Sequence, residues 1–236
     1  MKINKWLPEF GVNIPRGVLL GLAGGLLVLA WGRSQRRSLD SLPHRREAPP
    51  LGEGAPARLG AHVAKLAGEI GERNIFTLAG LKAAADYMEA TFRHSGYEPR
   101  SQRYPVQFED YGPIETRNIE VVVPARGPDA PVLVVCAHYD CAPGTPGADD
   151  NASGAAALLE LARRFRGRSG AVELRFVAFS TEEPPFFGSE QMGSAHYAAA
   201  LAREGRKVAG MLSLEMLGYY SDEPGSQNYP PVLSLF

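Results

Sequence analysis

Cysteine is nearly missing from this chain, with two among 236 residues. A small disulfide scaffold needs an even set of closely spaced cysteines, so that class is excluded. A surplus of either charge is missing as well. Lys and Arg number 25 against 26 Asp and Glu, for a net charge of −1. Holding nucleic acid through bulk electrostatics requires a basic surplus, so no nucleic-acid partner is expected. Tryptophan is scarce, at two, but nine Tyr and ten Phe keep the aromatics at an ordinary level. An apolar content of 44% with so little net charge excludes wholesale disorder. Glycine and proline are abundant, at 26 and 19, which points to a fold rich in loops.

One long uncharged run stands out. Residues 17–32 read GVLLGLAGGLLVLAWG, with Arg16 before them and Arg33, Arg36 and Arg37 after. At ~1.5 Å rise per residue the run spans roughly 24 Å, short of the ~30 Å hydrocarbon core of a bilayer. Snorkelling arginines and an interfacial Trp31 can make up the difference. The run is expected to be an uncleaved signal anchor in contact with the lipid bilayer. A signal peptide cut after Ala30 and a buried core helix are the alternatives. Five glycines in the run weigh against the core helix. Lys2, Lys5 and Arg16 on one side and Arg33, Arg36, Arg37, Arg45 and Arg46 on the other leave the positive-inside rule undecided, with a slight lean toward a cytoplasmic C-terminal domain.

Residues 33–55 are rich in Arg, Pro and Gly without periodicity, the composition of a linker. Its arginines are expected to be a solvated juxtamembrane stretch, with anionic headgroups as the alternative contact. The organisation is therefore an N-terminal segment 1–32, a linker 33–55, and a globular domain 56–236.

Within that domain, residues 58–71 and 78–95 carry helical spacing. Leu81, Ala84, Ala85, Met88 and Phe92 form one apolar face, and Gly96 suits the helix stop. Residues 119–123 and 131–136 are rich in β-branched residues. The second of these, PVLVVC, is apolar throughout, as a central strand covered on both faces requires. Residues 154–166 predict a helix, 172–179 a strand, 187–203 a mostly helical segment, and 210–216 a strand. The alternation predicts an α/β fold with a mixed, largely parallel central sheet and helices on both faces.

The chemistry-bearing residues fall where strands end or helices begin. His138 and Asp140 follow the strand 131–136. Asp149, Asp150, Asn151 and Ser153 precede the helix at 154. Glu182 and Glu183 follow the strand 172–179, and Glu215 lies at the end of the last strand. Ligands in open α/β sheets bind outside the carboxyl ends of strands. Taken singly, each cluster has a plain explanation. A histidine can be a satisfied structural residue, Asp149-Asp150-Asn151 or Ser153 a helix N-cap, and Glu182-Glu183 a solvated turn. Glu215 between Leu214 and Met216 is harder to place, because a carboxylate inside an apolar strand is costly unless paired. Together, an imidazole and several carboxylates at one edge are a donor set for a divalent metal.

The segments HYDCAPGTPGADDNASG and STEEPPFFGSEQMGS resemble the co-catalytic di-zinc aminopeptidases of peptidase clan MH. Glutamate carboxypeptidase II and the glutaminyl cyclases are relatives, and the resemblance covers roughly 56–236. It implies a zinc exopeptidase-like, three-layer fold and a metallo-aminopeptidase acting on peptide N-termini. It implies that His138, Asp150 and Glu215 ligate one zinc, with Asp150 bridging to a second that Glu183 also holds. Asp140 would orient the His138 ring, Glu182 would be the general base, and the Asp150–Asn151 peptide bond would be cis. It also implies an extracytoplasmic domain, which the run at 17–32 would tether to the membrane.

The sequence departs from that pattern in places. Glu215 stands where Asp is common, and Cys141 where Ser is common. Cys136 and Cys141 are expected to be inert, with a zinc role as the alternative. The family's last zinc ligand is a downstream histidine, and no histidine follows His196, which reads as structural. The second site is thus one ligand short, and the C-terminal part of the domain is expected to be missing. Alternatives to the peptidase are a non-catalytic anchored fragment and a glutaminyl-cyclase-like transferase.

Overall fold

The structure, a computed structural model, describes residues 52–108, 112–221, 223 and 226. The anchor expected at 17–32, nearly all of the linker, and the apolar run at 230–236 lie outside the described residues. Among the described residues no helix is long and apolar enough to cross a membrane. The elements below all lie in one unit, Leu51–Tyr220.

Helix α1 spans Ala55–Val63, with a proline in its first turn. It runs on as a wider π-helical stretch, Ala64–Ile70. Proline fits there because the first-turn N–H has no helical partner to lose. Helix α2 spans Leu78–His94, and its buried residues are Leu81, Ala84, Ala85, Met88 and Phe92, the face that the spacing predicts. Gly96 adopts φ 83° just beyond it, the left-handed stop that glycine permits without penalty.

Five strands follow the helical N-terminal layer. They are β1 (Arg100–Gln107), β2 (Pro113–Val123), β3 (Val132–His138), β4 (Glu173–Phe179) and β5 (Val208–Ser213). Between β3 and β4 stands helix α3 (Gly154–Phe165), and between β4 and β5 helix α4 (Gly193–Arg203). The sheet order is β1-β2-β4-β3-β5. β3 is parallel to both β4 and β5. β1 and β2 are antiparallel to each other, and β2 to β4. The sheet is mixed, as expected, but its parallel part is confined to three strands.

Alternation along the central strands separates two cores. Val135 and Ala137 of β3, with Phe176 and Ala178 of β4, face α2 and α3. Val132, Val134 and Cys136, with Val177 and Phe179, face Tyr197 and Leu201 of α4. The apolar run of β3 is therefore apolar for the predicted reason. Each fully buried Leu, Val or Phe contributes about 1.5–3 kcal/mol of transfer free energy, and both faces of these strands collect it.

Four expectations need correction. β1 was not foreseen. Its RSQRYPVQ sequence buries only Tyr104 and Val106, and polar residues with a proline are typical of an edge strand. The helix expected over 187–203 begins only at Gly193, and hydrogen-bonded turns at Phe186, Ser189 and Met192 precede it. β5 stops at Ser213 rather than running to 216. Glu215 consequently lies beyond the strand with its side chain 43% exposed, not as a carboxylate inside an apolar strand.

Candidate metal centre

The carboxyl ends of β3 and β4 set the site. In register, His138 at the end of β3 pairs with Phe179 at the end of β4, so residues 138–140 and 180–183 emerge side by side. Asp140 ties them together. Its Oδ2 accepts the backbone N–H groups of Glu182 at 2.9 Å and Glu183 at 3.2 Å. Its Oδ1 stands 3.4 Å from His138 Nδ1, and both of those atoms are buried without a closer partner. The imidazole is thereby aimed outward with Nε2 leading.

Carboxylates surround Nε2. Asp150 Oδ1 lies at 3.1 Å, Glu215 Oε1 at 3.2 Å and Glu182 Oε2 at 3.7 Å. Asp150 comes from the irregular turn Ala148–Ser153, in which Asp150 and Asn151 leave helical geometry. The Asp150–Asn151 peptide bond is cis, as expected, and so is Pro184–Pro185.

The same turn holds the segment that carries Glu215. Asn151 Nδ2 donates to the Leu214 carbonyl at 2.9 Å, and Asn151 Oδ1 accepts the Gly154 N–H at 3.0 Å. Ser153 Oγ accepts the Leu217 N–H at 2.9 Å and Asp149 Oδ1 the Gly218 N–H at 2.8 Å. Asp149 and Ser153 are thus engaged with the chain beyond β5, and the capping expected of this cluster falls to Asn151 alone. That clamping was not legible in the sequence.

Two groups of three donors converge within 4.8 Å among the described residues, His138 with Asp150 and Glu215, and His138 with Glu182 and Glu183. The first is the expected set. The second gathers Glu183 with His138 and Glu182 rather than with Asp150. Cys136 and Cys141 are both free and buried and belong to neither group. Cys141 Sγ instead bonds the backbone of Arg73 and Thr145. His196 stacks on Tyr104 with centroids 4.2 Å apart, the structural place expected for it.

The electrostatics are those of a site short of positive charge. Burial by itself lowers the His138 pKa, but the Asp140 and Glu215 carboxylates overcome it and push the imidazole up to about 11. Burial and the charge of Asp150 raise Glu183 to about 7. Burial also raises Glu182, against the pull of His138. Glu183 Oε1 is buried with no hydrogen-bond partner, an arrangement that costs free energy unless a cation or donor completes it. Donors around a tetrahedral zinc with ~2.1 Å bonds stand ~3.4 Å apart, close to the spacings about Nε2. The residues present therefore fit a divalent metal. A recess of about 150 Å³ beside His138, Glu182 and Glu215 is walled by Phe179, Met192 and Met211. A wider cleft of about 440 Å³ between α2 and β2 contains none of these acids.

Arg73 escaped the sequence reading. Among the described residues it is the largest fully buried side chain, it lies behind the loop joining Asp140 to Asp150, and no local pattern distinguishes it from a surface arginine.

Comparison with known proteins agrees with this architecture. The chain is 41% identical over 190 residues to the uncharacterized protein YfbL of Escherichia coli, covering 76% of this chain and 55% of that protein. It is 34% identical over 108 residues to aminopeptidase YwaD of Bacillus subtilis, covering 42% of this chain and 23% of that protein. The chain spans about half the length of YfbL and a smaller share of YwaD. Among solved structures, Porphyromonas gingivalis glutaminyl cyclase superposes with a TM-score of 0.58 at 25% identity, over 72% of this chain and 61% of that one. A Zn-dependent exopeptidase from Parabacteroides distasonis shares the fold, with a TM-score of 0.56 at 22% identity, over 72% of this chain and 63% of that one. The profile of Peptidase family M28 matches residues 118–235, half of the chain, from β2 through the segment that carries every acid of the site, and the chain belongs to that family.

Proposed function

We propose that this chain carries the centre of a zinc-dependent exopeptidase that removes N-terminal residues from peptides. His138, Asp150 and Glu215 would hold one zinc, and Asp150 and Glu183 would contribute to a second. The observation that carries the reading is the ring of carboxylates about His138 Nε2, with Asp150 at 3.1 Å and Glu215 at 3.2 Å, and Asp140 behind Nδ1. A carboxylate facing Nδ1 favours the tautomer with its proton there, which leaves Nε2 free to ligate.

The chemistry a bound zinc supplies is a water of lowered pKa and polarisation of the scissile carbonyl. Glu182 would serve as the general base, taking a proton on Oε2 and returning it to the leaving amine. Its backbone is pinned by Asp140, while its carboxylate stays 27% exposed at the mouth of the site. The recess walled by Phe179, Met192 and Met211 offers apolar surface for part of the substrate. By the same reading, residues 17–32 tether the domain to a bilayer and place it outside the cytoplasm.

The test is metal content of the full chain by mass spectrometry, together with hydrolysis of aminoacyl-p-nitroanilides with and without a chelator. Bound zinc and chelator-sensitive hydrolysis that drops at least ~100-fold in Glu182→Gln is the expected result. Absence of bound zinc, or hydrolysis unchanged by chelation and by Glu182→Gln, overturns the reading. The likeness to the P. gingivalis glutaminyl cyclase supports a second reading, cyclisation of N-terminal glutamine. Product analysis with a Gln-initiated peptide separates the two, since cyclisation releases ammonia and leaves the peptide its original number of residues.

A further inference from the structure

Arg73 has no exposed surface, yet none of its hydrogen bonds goes to a carboxylate. Its guanidinium is satisfied by backbone carbonyls. Nε donates to Tyr139 O at 2.7 Å, Nη1 to Gly71 O at 3.1 Å and Pro146 O at 2.5 Å, and Nη2 to Gly147 O at 2.7 Å. The backbone of Arg73 is engaged too. Its N–H donates to Cys141 Sγ at 3.2 Å, and its carbonyl accepts the Cys141 N–H at 3.2 Å. Next to it, Glu72 Oε1 accepts the Gly144 N–H at 2.9 Å.

These bonds share one target. Residues 139–147, which include Asp140, form the loop between His138 at the end of β3 and the turn that presents Asp150. Tyr139 is the first residue of that loop, and Pro146 and Gly147 are its last. One planar fork therefore bonds both ends of the loop at once, a task that suits guanidinium and not a point-charge ammonium. Gly147 completes the fit. A Cβ there would come within 3.1 Å of Nη2 and collide with Cys141 and with the Asp150 carbonyl. Burying a cation with no ion-pair partner is unfavourable even after relaxation. The cost is offset here only by carbonyl dipoles and by the field of the nearby acids. Burial pushes the Arg73 pKa down, and Cys141, Asp140, Asp150 and Glu183 oppose it.

We propose that Arg73 is a positioning residue, a staple across the loop 139–147 that fixes the separation of the His138 and Asp150 donors and so presets the site for its metal. The proposal rests on the reading of His138 and Asp150 as metal ligands. Arg73 touches neither donor, so it acts through the loop. Lysine at this position can hold one end of the loop but not both, and glutamine can hold neither with charge.

The experiment is zinc affinity of the full chain by competition with a chromophoric chelator, for the unaltered protein, Arg73→Lys, Arg73→Gln and His138→Ala. Phe92→Ala, in the core face of α2, serves as a variant destabilised away from the site. Thermal melting of each metal-free protein is recorded in parallel. The expected result is a Kd weaker by ~10–100-fold in Arg73→Gln, as for removal of a residue that orients a ligand, with Arg73→Lys in between and Phe92→Ala unchanged. Partial rescue by lysine and indifference of the core variant separate positioning from general destabilisation. If Arg73→Gln does not fold, Arg73→Lys against Phe92→Ala decides. If His138→Ala abolishes zinc binding while both Arg73 variants keep the original Kd, the staple is refuted and the ligand reading survives. If His138→Ala binds zinc like the unaltered chain, or none binds it, the ligand reading fails, and the proposal with it.

Discussion

Asp140 accepts the backbone N–H of Glu182 through Oδ2 at 2.9 Å, while its other oxygen faces His138 Nδ1 at 3.4 Å. One carboxylate thus sets both the ring of the histidine and the backbone of the glutamate pair. Asp140→Asn separates these duties. The remaining oxygen can keep the two N–H groups, but the amide then turns an NH2 toward Nδ1. The imidazole must place its proton on Nε2, the atom that faces Asp150 and Glu215. The expected outcome is little change in melting temperature and a zinc Kd weaker by ~10–100-fold, measured by chelator competition. Asp140→Ala would also orphan two N–H groups, at about 1–3 kcal/mol each, and its melting temperature should fall as well.

The buried Glu160 of α3 makes a pH-dependent contribution to stability. Its carboxylate takes Arg58 Nε and Nη2 at 3.0 and 2.8 Å, and Arg163 Nε and Nη2 at 2.9 and 2.7 Å. The Arg163 and Arg58 bonds hold its pKa at about 2, below the ordinary 4.5, against the opposing effect of burial. A depressed folded-state pKa stabilises the fold above the unfolded-state value and is lost as pH falls through the folded one. At ~1.4 kcal/mol per pKa unit the contribution is at most about 3.5 kcal/mol, less what solvent screening of the partly exposed arginines removes. It is fully present above about pH 4.5 and gone near pH 2. Urea unfolding between pH 6 and pH 2 should show Glu160→Gln losing stability relative to the unaltered chain at pH 6. The gap should close as pH falls, and a gap independent of pH would refute the assignment.

How far the sequence carried depended on whether a residue's neighbours are near it in the chain. The α2 face was legible because 3.6 residues per turn brings Leu81, Ala84, Ala85, Met88 and Phe92 together locally. β3 was legible because burial on both faces leaves no polar position in PVLVVC. β1 was hidden because an edge strand whose outward positions are Arg, Gln and Ser looks like loop. His138, Glu182 and Glu183 were placed by where strands end and Asp150 by where a helix begins, and they do converge. Glu215 was placed correctly in space for a wrong local reason, since it stands beyond β5 rather than within it. Arg73 was invisible because all but one of the carbonyls its side chain bonds lie 66 to 74 residues away, and a carbonyl leaves no mark in a sequence.

Gly147, next to the site, is constrained both by its backbone conformation and by close neighbours. It adopts φ 54°, and an added Cβ would meet both the Asp150 carbonyl and Cys141. In Gly147→Ala the backbone strain of a positive φ adds to a clash with main chain that has no rotamer to escape through. The expected destabilisation is about 2–4 kcal/mol, or a drop of roughly 4–16 °C in melting temperature at this size. Because the displaced atom belongs to Asp150, zinc affinity should fall in the same variant. Gly144, with φ 77° and nothing within 4 Å of its Cβ position, is the control. Gly144→Ala should incur only the positive-φ strain and keep its zinc affinity.

Among the described residues the outer edge of β5 is unpaired, which predicts the solution behaviour of the chain. There β5 ends the sheet order and pairs with β3 alone. Val208, Met211 and Leu212 on it are about half exposed, and Tyr219 and Tyr220 beyond it are 85% and 74% exposed. An unpaired edge bearing apolar side chains is a template for another strand, and no lysine or proline in VAGMLS blunts it. Light scattering over a concentration series should therefore show self-association of the full chain. Leu212→Lys places a charge on that edge without touching the acids about His138, and should raise the monomer fraction several-fold while leaving zinc affinity unchanged. A chain that stays monomeric throughout the series would mean that this edge is already protected. If Leu212→Lys leaves the association as it was, the contact lies on another face.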